Sequence, residues 1–430
     1  MKKIILTAAL LASTLPIWSA PRYSELPALL DGSMSLYDFN ATEPSALPDS
    51  LTAVHIDYVA RHGARYLTSE SKLKSCEKAL QTARERGSLT QKGKDFMKLL
   101  ESVRSNTAGQ WGLLSDIGKE QEWRLGREMA RMFPTVFSRD EAPRKNGAAT
   151  GNDAGTSVES VASYVPRVVQ TMDIFTVAIA DEYPGIDTQS ASGHAYDRLT
   201  RFFVTDKAYD AWRKSGAWKS VYDDFVARHI STAPALRLVG NHSGLSDNEL
   251  RKLTYDIYKV LQGMRAASLP APTDEWMSEA EYRACWEATN LEKYFQYSIS
   301  PLSELPAEGA KSLLYRLLGN SVDFSDDALG RGLTGVFGHA ETLLPFFSLL
   351  GVGNPAAPVN DYDALASQWS DAELTPLGAN IAVVYAVSAS GRKYASMRLN
   401  GRNVPPIAGR SDLVVPLADL QDYWLKRLGI

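Results

Sequence analysis

The sequence predicts an α/β fold that carries a helical insertion, and three observations predict it. Strand-like runs stand at residues 51–60, 333–338 and 380–388. The first two pass through a polar turn into helix-patterned sequence. From about residue 190 to 324 the texture changes to helical segments rich in Trp, Tyr and Lys/Arg. A chain of 430 residues with 44% hydrophobic content buries a sizeable core, as one large domain with an insertion or as two domains.

Taken in order, the chain opens on Met1-Lys2-Lys3, an apolar run from Ile4 to about Trp18, and Ser19-Ala20. This is the basic, apolar and small-residue order of a secretory signal peptide over residues 1–20. The run is short for a membrane span, and no cysteine follows it to carry a lipid. An exported, periplasmic or secreted product without stable membrane insertion is expected. Residues 21–50, rich in Pro, Ser and Asp, read as an arm ahead of the core. In the first strand Val54, Ile56 and Tyr58 alternate with His55, Asp57 and Val59, so His55 and Asp57 share a face, where they read as hydrogen-bonded strand residues without chemistry.

Helical patterns follow near 72–86, 90–104 and 116–133, with Thr90 and Ser115 at N-cap positions. Residues 139–157 are polar, a loop with no evident chemistry. Pro166 suits the first turn of a helix, which places Arg167 at that helix's N-terminal end, a good anion site. In the insertion, 209–226 and 250–264 read as helices. Its basic residues, among them Arg198, Arg201, Lys207 and Arg213, read as solvated helix faces unless a polyanion pocket gathers them. Beyond it, Leu333–Gly338 leads to His339-Ala340-Glu341 and an apolar helix at 342–350. Residues 380–388 form a buried strand, 393–399 and 402–407 a hairpin about Asn400-Gly401, and 416–428 a terminal amphipathic helix stopped by Gly429. The expected division is 21–189 with 325–430 as the catalytic α/β domain and 190–324 as the helical cap.

The formal charge is −4, and −6 once residues 1–20 with Lys2 and Lys3 are removed. Such a surface has no global field for a polyanion, so no nucleic-acid partner is expected and an anionic substrate needs a local basic pocket. Two cysteines, Cys76 and Cys285, exclude a disulfide scaffold; one bridge and two free thiols are both compatible with the sequence.

The stretch with most chemistry is Arg61-His62-Gly63-Ala64-Arg65-Tyr66, a histidine between two arginines directly behind a strand. A neutral imidazole attacks phosphorus in line, while guanidinium groups hold the non-bridging oxygens and neutralise their charge. Arg61, Arg65 and Arg167 form the expected clamp around the nucleophile His62. Gly63 and Ala64 read as small residues that let phosphate lie against the backbone. An alkoxide departs only if it is protonated, so the site needs an acid, and Glu341 at the second strand-to-helix turn supplies it. The same carboxylate, once ionised, activates the water that hydrolyses a phosphohistidine. Substrate phosphates and burial raise its pKa while a helix N-terminus and arginines lower it, and an acidic or broad pH optimum is expected. No metal and no cofactor are required, because arginines supply the positive charge.

With Arg61-His62-Gly63-Ala64-Arg65-Tyr66 and the downstream Thr68, together with His339-Ala340-Glu341, the chain resembles the histidine acid phosphatase clan. Within that clan it is similar to the multiple inositol polyphosphate phosphatase (phytase) branch, marked by His-Ala-Glu where other branches carry His-Asp. The likeness runs over about residues 50–430. It implies a central mixed sheet flanked by helices with a smaller all-helical cap. It implies His62 as nucleophile, Arg61, Arg65, Arg167 and His339 as phosphate ligands, and Glu341 as proton donor. Phytate and other inositol phosphates are the implied substrates.

Two rival readings stand beside this one: a broad-specificity acid phosphatase acting on small monoesters, and a phosphate- or polyanion-binding protein that turns nothing over. Glu341 separates catalyst from binder, since a carboxylate beside phosphate hinders binding alone.

Overall fold

The structure is a computed structural model, and it describes residues 28–138, 156–353 and 358–430. The signal peptide expected over 1–20 and most of the polar loop at 139–157 lie outside the described residues. Among the described residues no helix is long and apolar enough to cross a membrane.

Among the described residues eight strands form one mixed sheet: β1 Leu51–Arg61, β2 Ser157–Ala162, β3 Asp187–Ser192, β4 Gly332–Gly338, β5 Asn380–Ser388, β6 Lys393–Leu399, β7 Arg402–Val404 and β8 Val414–Pro416. Their spatial order is β3-β2-β4-β1-β5-β6-β7, with β8 also paired to β6. β3, β2, β4 and β1 are mutually parallel, whereas β5 runs antiparallel to β1 and starts the antiparallel strands that precede the terminal helix Leu417–Leu428. This is the mixed sheet flanked by helices that the sequence leads one to expect.

β1 is the central strand and is buried on both faces over most of its length. Ile56, Tyr58 and Ala60 face one core cluster with Phe175, Leu125 and Phe337. Val59 faces the other, which runs on into Leu343, Leu344 and the helices between β3 and β4. The flanking helices Asp116–Met132 and Pro166–Glu182 cover the first face, and Ala340–Leu350 lies against the second.

Thr90 and Ser115 cap their helices as expected, each hydroxyl accepting the N–H three residues on. Asn400 and Gly401 turn the hairpin with φ of 48° and 80°, although the returning strand ends at Val404 and not at 407. The helix expected at 209–226 is two helices, Lys207–Ser215 and Trp218–His229, because Gly216 packs against Trp212 and Trp218 and ends the first. β2, β3 and β8 were not expected: β3 reads Asp-Thr-Gln-Ser-Ala-Ser at the sheet edge and carries no apolar alternation.

Between β3 and β4 the chain is helical, with Asp247–Ala266, Glu279–Tyr297 and Leu305–Ser325 as its long members. His55 and Asp57 share a face, as read from the alternation. His55 Nδ1 donates to the Gly330 carbonyl at 2.9 Å, and Asp57 accepts from Tyr385 at 2.7 Å and Asn320 at 2.6 Å. Both are buried in this strand-level network, several residues before the end of β1.

Candidate active site

β1 and β4 end side by side. Arg61 lies opposite Gly338, and the His62 N–H donates to the Gly338 carbonyl at 3.2 Å. The residues that follow each strand, His62 and His339, therefore leave the sheet together, and their rings meet edge to face with centroids 5.7 Å apart. β2 ends on the far side of β4. Its continuation, Ser163, donates its N–H to the Phe337 carbonyl at 3.1 Å, and its hydroxyl shares a hydrogen bond of 3.2 Å with His339 Nε2. Three residues later Pro166 opens the helix that carries Arg167 in its first turn. The carboxyl ends of three parallel strands thus deliver His62, His339 and Arg167 to one cleft, the usual place for a ligand in an open α/β sheet.

The loop that carries His62 is held from beneath. Gly63 N–H donates to Thr171 Oγ1 at 3.1 Å and Ala64 N–H to Gln121 Oε1 at 3.1 Å, and Ala64 O accepts from the Ser115 N–H at 3.0 Å. Gln121 Nε2 also donates to the Leu377 carbonyl, tying the loop to the turn before β5. A Cβ on Gly63 would stand 2.7 Å from Glu122 Oε1 and 2.9 Å from the Gly118 carbonyl. Gly63 is therefore required by the helix packed below it, where the sequence had pointed to phosphate above it.

His62 Nδ1 lies 3.0 Å from the Gly63 carbonyl. A carbonyl only accepts, so Nδ1 carries the hydrogen and Nε2 keeps its lone pair. Arg61 is buried, and its Nη1 donates to two backbone carbonyls, of Ser33 and of Thr375, the latter at 2.5 Å. Arg65 donates from Nη1 to the Tyr66 carbonyl at 3.0 Å. The Nε atoms of Arg61, Arg65 and Arg167 are buried without a hydrogen-bond partner. Three buried N–H donors left open in one cleft make a site for an anion.

The family model of the histidine phosphatase superfamily (branch 2) matches residues 51–394. The chain belongs to the histidine phosphatase superfamily, branch 2. Among solved structures, it is similar to the Bifidobacterium longum multiple inositol polyphosphate phosphatase in complex with inositol hexasulfate. The identity is 16% and the TM-score 0.75, covering 91% of this chain and 96% of that one. It is also similar to the phytase from D. castellii, at 17% identity and a TM-score of 0.68, covering 93% of this chain and 85% of that one. At these identities the likeness is one of fold. No curated protein matches the chain at the level of sequence.

The electrostatics of this histidine phosphatase cleft follow from burial and from the arginines. Burial, then Arg167, Arg61, Arg65 and His339, hold the His62 imidazole well below the usual histidine range, so it is neutral and able to attack. Burial pushes His339 down to about 3, with Glu341 opposing and Arg167, Arg201 and Arg61 adding to the fall. Glu341, in the first turn of the Ala340–Leu350 helix, is pushed up by burial, but His339, its own backbone N–H, Lys293 and Arg61 outweigh this and bring it to about 2. Of the two opposing influences read from the sequence, the lowering ones win among the protein's own groups.

Several residues at the cleft escaped the sequence reading. Thr171 had a signal, since it lies one helical turn after Arg167 on the same face. Gln121, Ser163 and Lys293 had none: each is an unremarked polar residue on a helix or at a strand end. Arg201, noted only among the insertion's basic residues, has a buried Nε without a partner and acts on both Arg167 and His339. Among the described residues no group of three or more His, Cys, Asp or Glu stands where it would hold a metal ion.

Proposed function

We propose that the protein is a histidine-dependent phosphomonoesterase that hydrolyses phytate and other inositol polyphosphates through a phosphohistidine. The observation that carries this reading is the tautomer of His62: its Nδ1 hydrogen is turned to the Gly63 carbonyl, which leaves Nε2 free beside the open donors of Arg61, Arg65 and Arg167. In the first step His62 Nε2 bonds to phosphorus as the ester P–O bond breaks, and Glu341 gives its proton to the departing alkoxide. The Gly63 carbonyl stabilises the Nδ1–H as positive charge develops on the ring. In the second step Glu341 takes a proton from water, the water oxygen bonds to phosphorus, and the Nε2–P bond breaks to release phosphate. His339 and the three arginines hold the non-bridging oxygens throughout.

Glu341 must be protonated for the first step, yet its protein neighbours hold it at about 2. A bound phosphate offsets the positive charge of Lys293 and Arg61 that depresses it and adds negative charge of its own, so the acid form is recovered in the complex. This favours turnover at acidic pH.

A polyphosphorylated ring suits a cleft with more cationic groups than one phosphate needs. Arg201 acts on Arg167 and Lys293 on Glu341, both from the insertion that we read as the cap, residues 190–324. The known relatives in fold, one of them bound to inositol hexasulfate, support the same substrate class. Export through residues 1–20 belongs to this proposal. The test is phosphate release from phytate and from an aryl phosphate, with chelator present, by wild type and His62→Ala. The reading requires phytate turnover in wild type and its loss in His62→Ala; unchanged turnover in the variant sinks the mechanism, and release from the aryl phosphate alone favours a broad-specificity phosphatase.

A further inference from the structure

We infer that Asp371 is a positioning residue for the catalytic cleft, anchoring the two backbone segments whose carbonyls orient the Arg61 guanidinium. This rests on the reading of Arg61 as a phosphate ligand.

Arg61 has no carboxylate of its own. Its Nη1 is spent on the Ser33 and Thr375 carbonyls, which come from two segments far apart in sequence and outside both catalytic motifs. Asp371 bonds to both. Its Oδ2 accepts the Ser33 N–H at 2.9 Å, and its main-chain carbonyl accepts the Thr375 N–H at 2.9 Å and the Thr375 hydroxyl at 3.1 Å. One residue therefore fixes the N–H side of each peptide segment whose carbonyl grips Arg61.

The carboxylate is fully buried, which is costly unless it is paired and hydrogen-bonded. It is both. Lys293 lies 3.0 Å from Oδ2 and Trp286 Nε1 donates to Oδ1 at 3.1 Å, both from the helix Glu279–Tyr297. Asp371 N–H donates to Asn290 Oδ1 of the same helix at 2.8 Å. Lys293 also donates to the Ser33 hydroxyl. Asp371 thus joins the insertion's helix to the arm at Ser33, and it supports Arg61 electrostatically as a cation.

The arm is shaped for this contact. Gly32 has φ of 58°, and a Cβ there would stand 3.1 Å from both Asp371 carboxylate oxygens. Only glycine both adopts that backbone and lets the chain descend onto the carboxylate.

With the carboxylate gone, the Ser33 N–H loses its acceptor, its carbonyl drifts, and the Nε–H of Arg61 no longer points where phosphate sits. A misplacement of an ångström in such a group costs about 10²-fold in rate. Asp371→Ala is expected to lower kcat/KM for an aryl phosphate by about that factor and to weaken inhibition by inorganic phosphate at temperatures well below its unfolding midpoint. Asp371→Asn, which keeps an oxygen for the Ser33 N–H but turns its NH2 toward the Trp286 N–H, restores part of both. Gly32→Ala, which lifts the arm off an intact Asp371, reproduces the loss and decides the matter if Asp371→Ala does not fold. Arg61→Ala measured alongside separates the two claims. Phosphate inhibition lost in Arg61→Ala but kept in Gly32→Ala and in the folded Asp371 variants overturns the Asp371 assignment alone. Phosphate inhibition kept in Arg61→Ala overturns the clamp, and the assignment with it.

Discussion

Arg61 and Gly338 pair across the parallel strands β1 and β4, and this register sets His62 against His339 with ring centroids 5.7 Å apart. A shift of one residue between the strands would turn one histidine to the opposite face. The cleft is therefore a property of the sheet, and a slip of either strand would dismantle it.

Glu341 is proposed to protonate a poor leaving group. Glu341→Gln should damage phytate hydrolysis far more than hydrolysis of an aryl phosphate, whose leaving group needs no proton. Removing the carboxylate also removes its repulsion of a bound anion, so inorganic phosphate should inhibit the variant more strongly, by about tenfold. Equal damage to both substrates, measured as kcat/KM, would argue that Glu341 acts only in shaping the cleft.

Gly63 touches the helix beneath it. Gly63→Ala forces the loop away from Glu122 and the Gly118 carbonyl, a close contact that overpacking data put at about 1–3 kcal/mol of stability. Because His62 is the adjacent residue, kcat should fall by about 10²-fold as well. Thermal melts with phosphatase assays on the same preparation check this; a lower midpoint with unchanged kcat would contradict it.

Glu122 is buried with neither carboxylate oxygen partnered, and burial holds its carboxyl well above the usual range. A carboxyl whose folded pKa is raised contributes stability that is fully present below its unfolded value of about 4.5 and is lost as pH rises above it. Glu122→Gln removes that loss. The variant should gain on wild type in unfolding free energy as pH is raised from acid toward neutral, at a limiting slope of about 1.4 kcal/mol per pH unit. A difference independent of pH would show that Glu122 is not protonated in the fold.

Cys76 and Cys285 are both free and both fully buried, and burial pushes both thiols up. The bridge that the sequence left open is not formed. A thiol reagent at neutral pH should leave the native protein unlabelled and label both cysteines in denaturant without reductant. No labelling in denaturant would mean that the two are crosslinked.

The sequence carried the fold where chemistry interrupts periodicity. β1, β4 and β5 are apolar runs that stop at polar residues, so both the strands and the two motifs at their ends could be read. β2 and β3 could not, because Ser-Val-Glu-Ser-Val-Ala is half polar and Asp-Thr-Gln-Ser-Ala-Ser lies on an edge, where burial does not write a pattern. At the cleft, the residues that touch phosphate in our reading are Arg and His, whose types announce their role. Their supports are silent: Ser33 and Thr375 hold Arg61 through carbonyls that any residue would supply, and Lys293 looks like any helix lysine until Asp371 and Glu341 are seen beside it.

The central claim is that His62 becomes phosphorylated, and the most direct measurement is an alkaline-quench single turnover with labelled phosphomonoester. The account predicts acid-labile, alkali-stable label on the peptide that contains His62, absent in His62→Ala. It also predicts greater accumulation in Glu341→Gln with an aryl phosphate, since that variant still forms the intermediate but lacks the base that hydrolyses it. Label on another residue, or turnover without label that persists in His62→Ala, would contradict it.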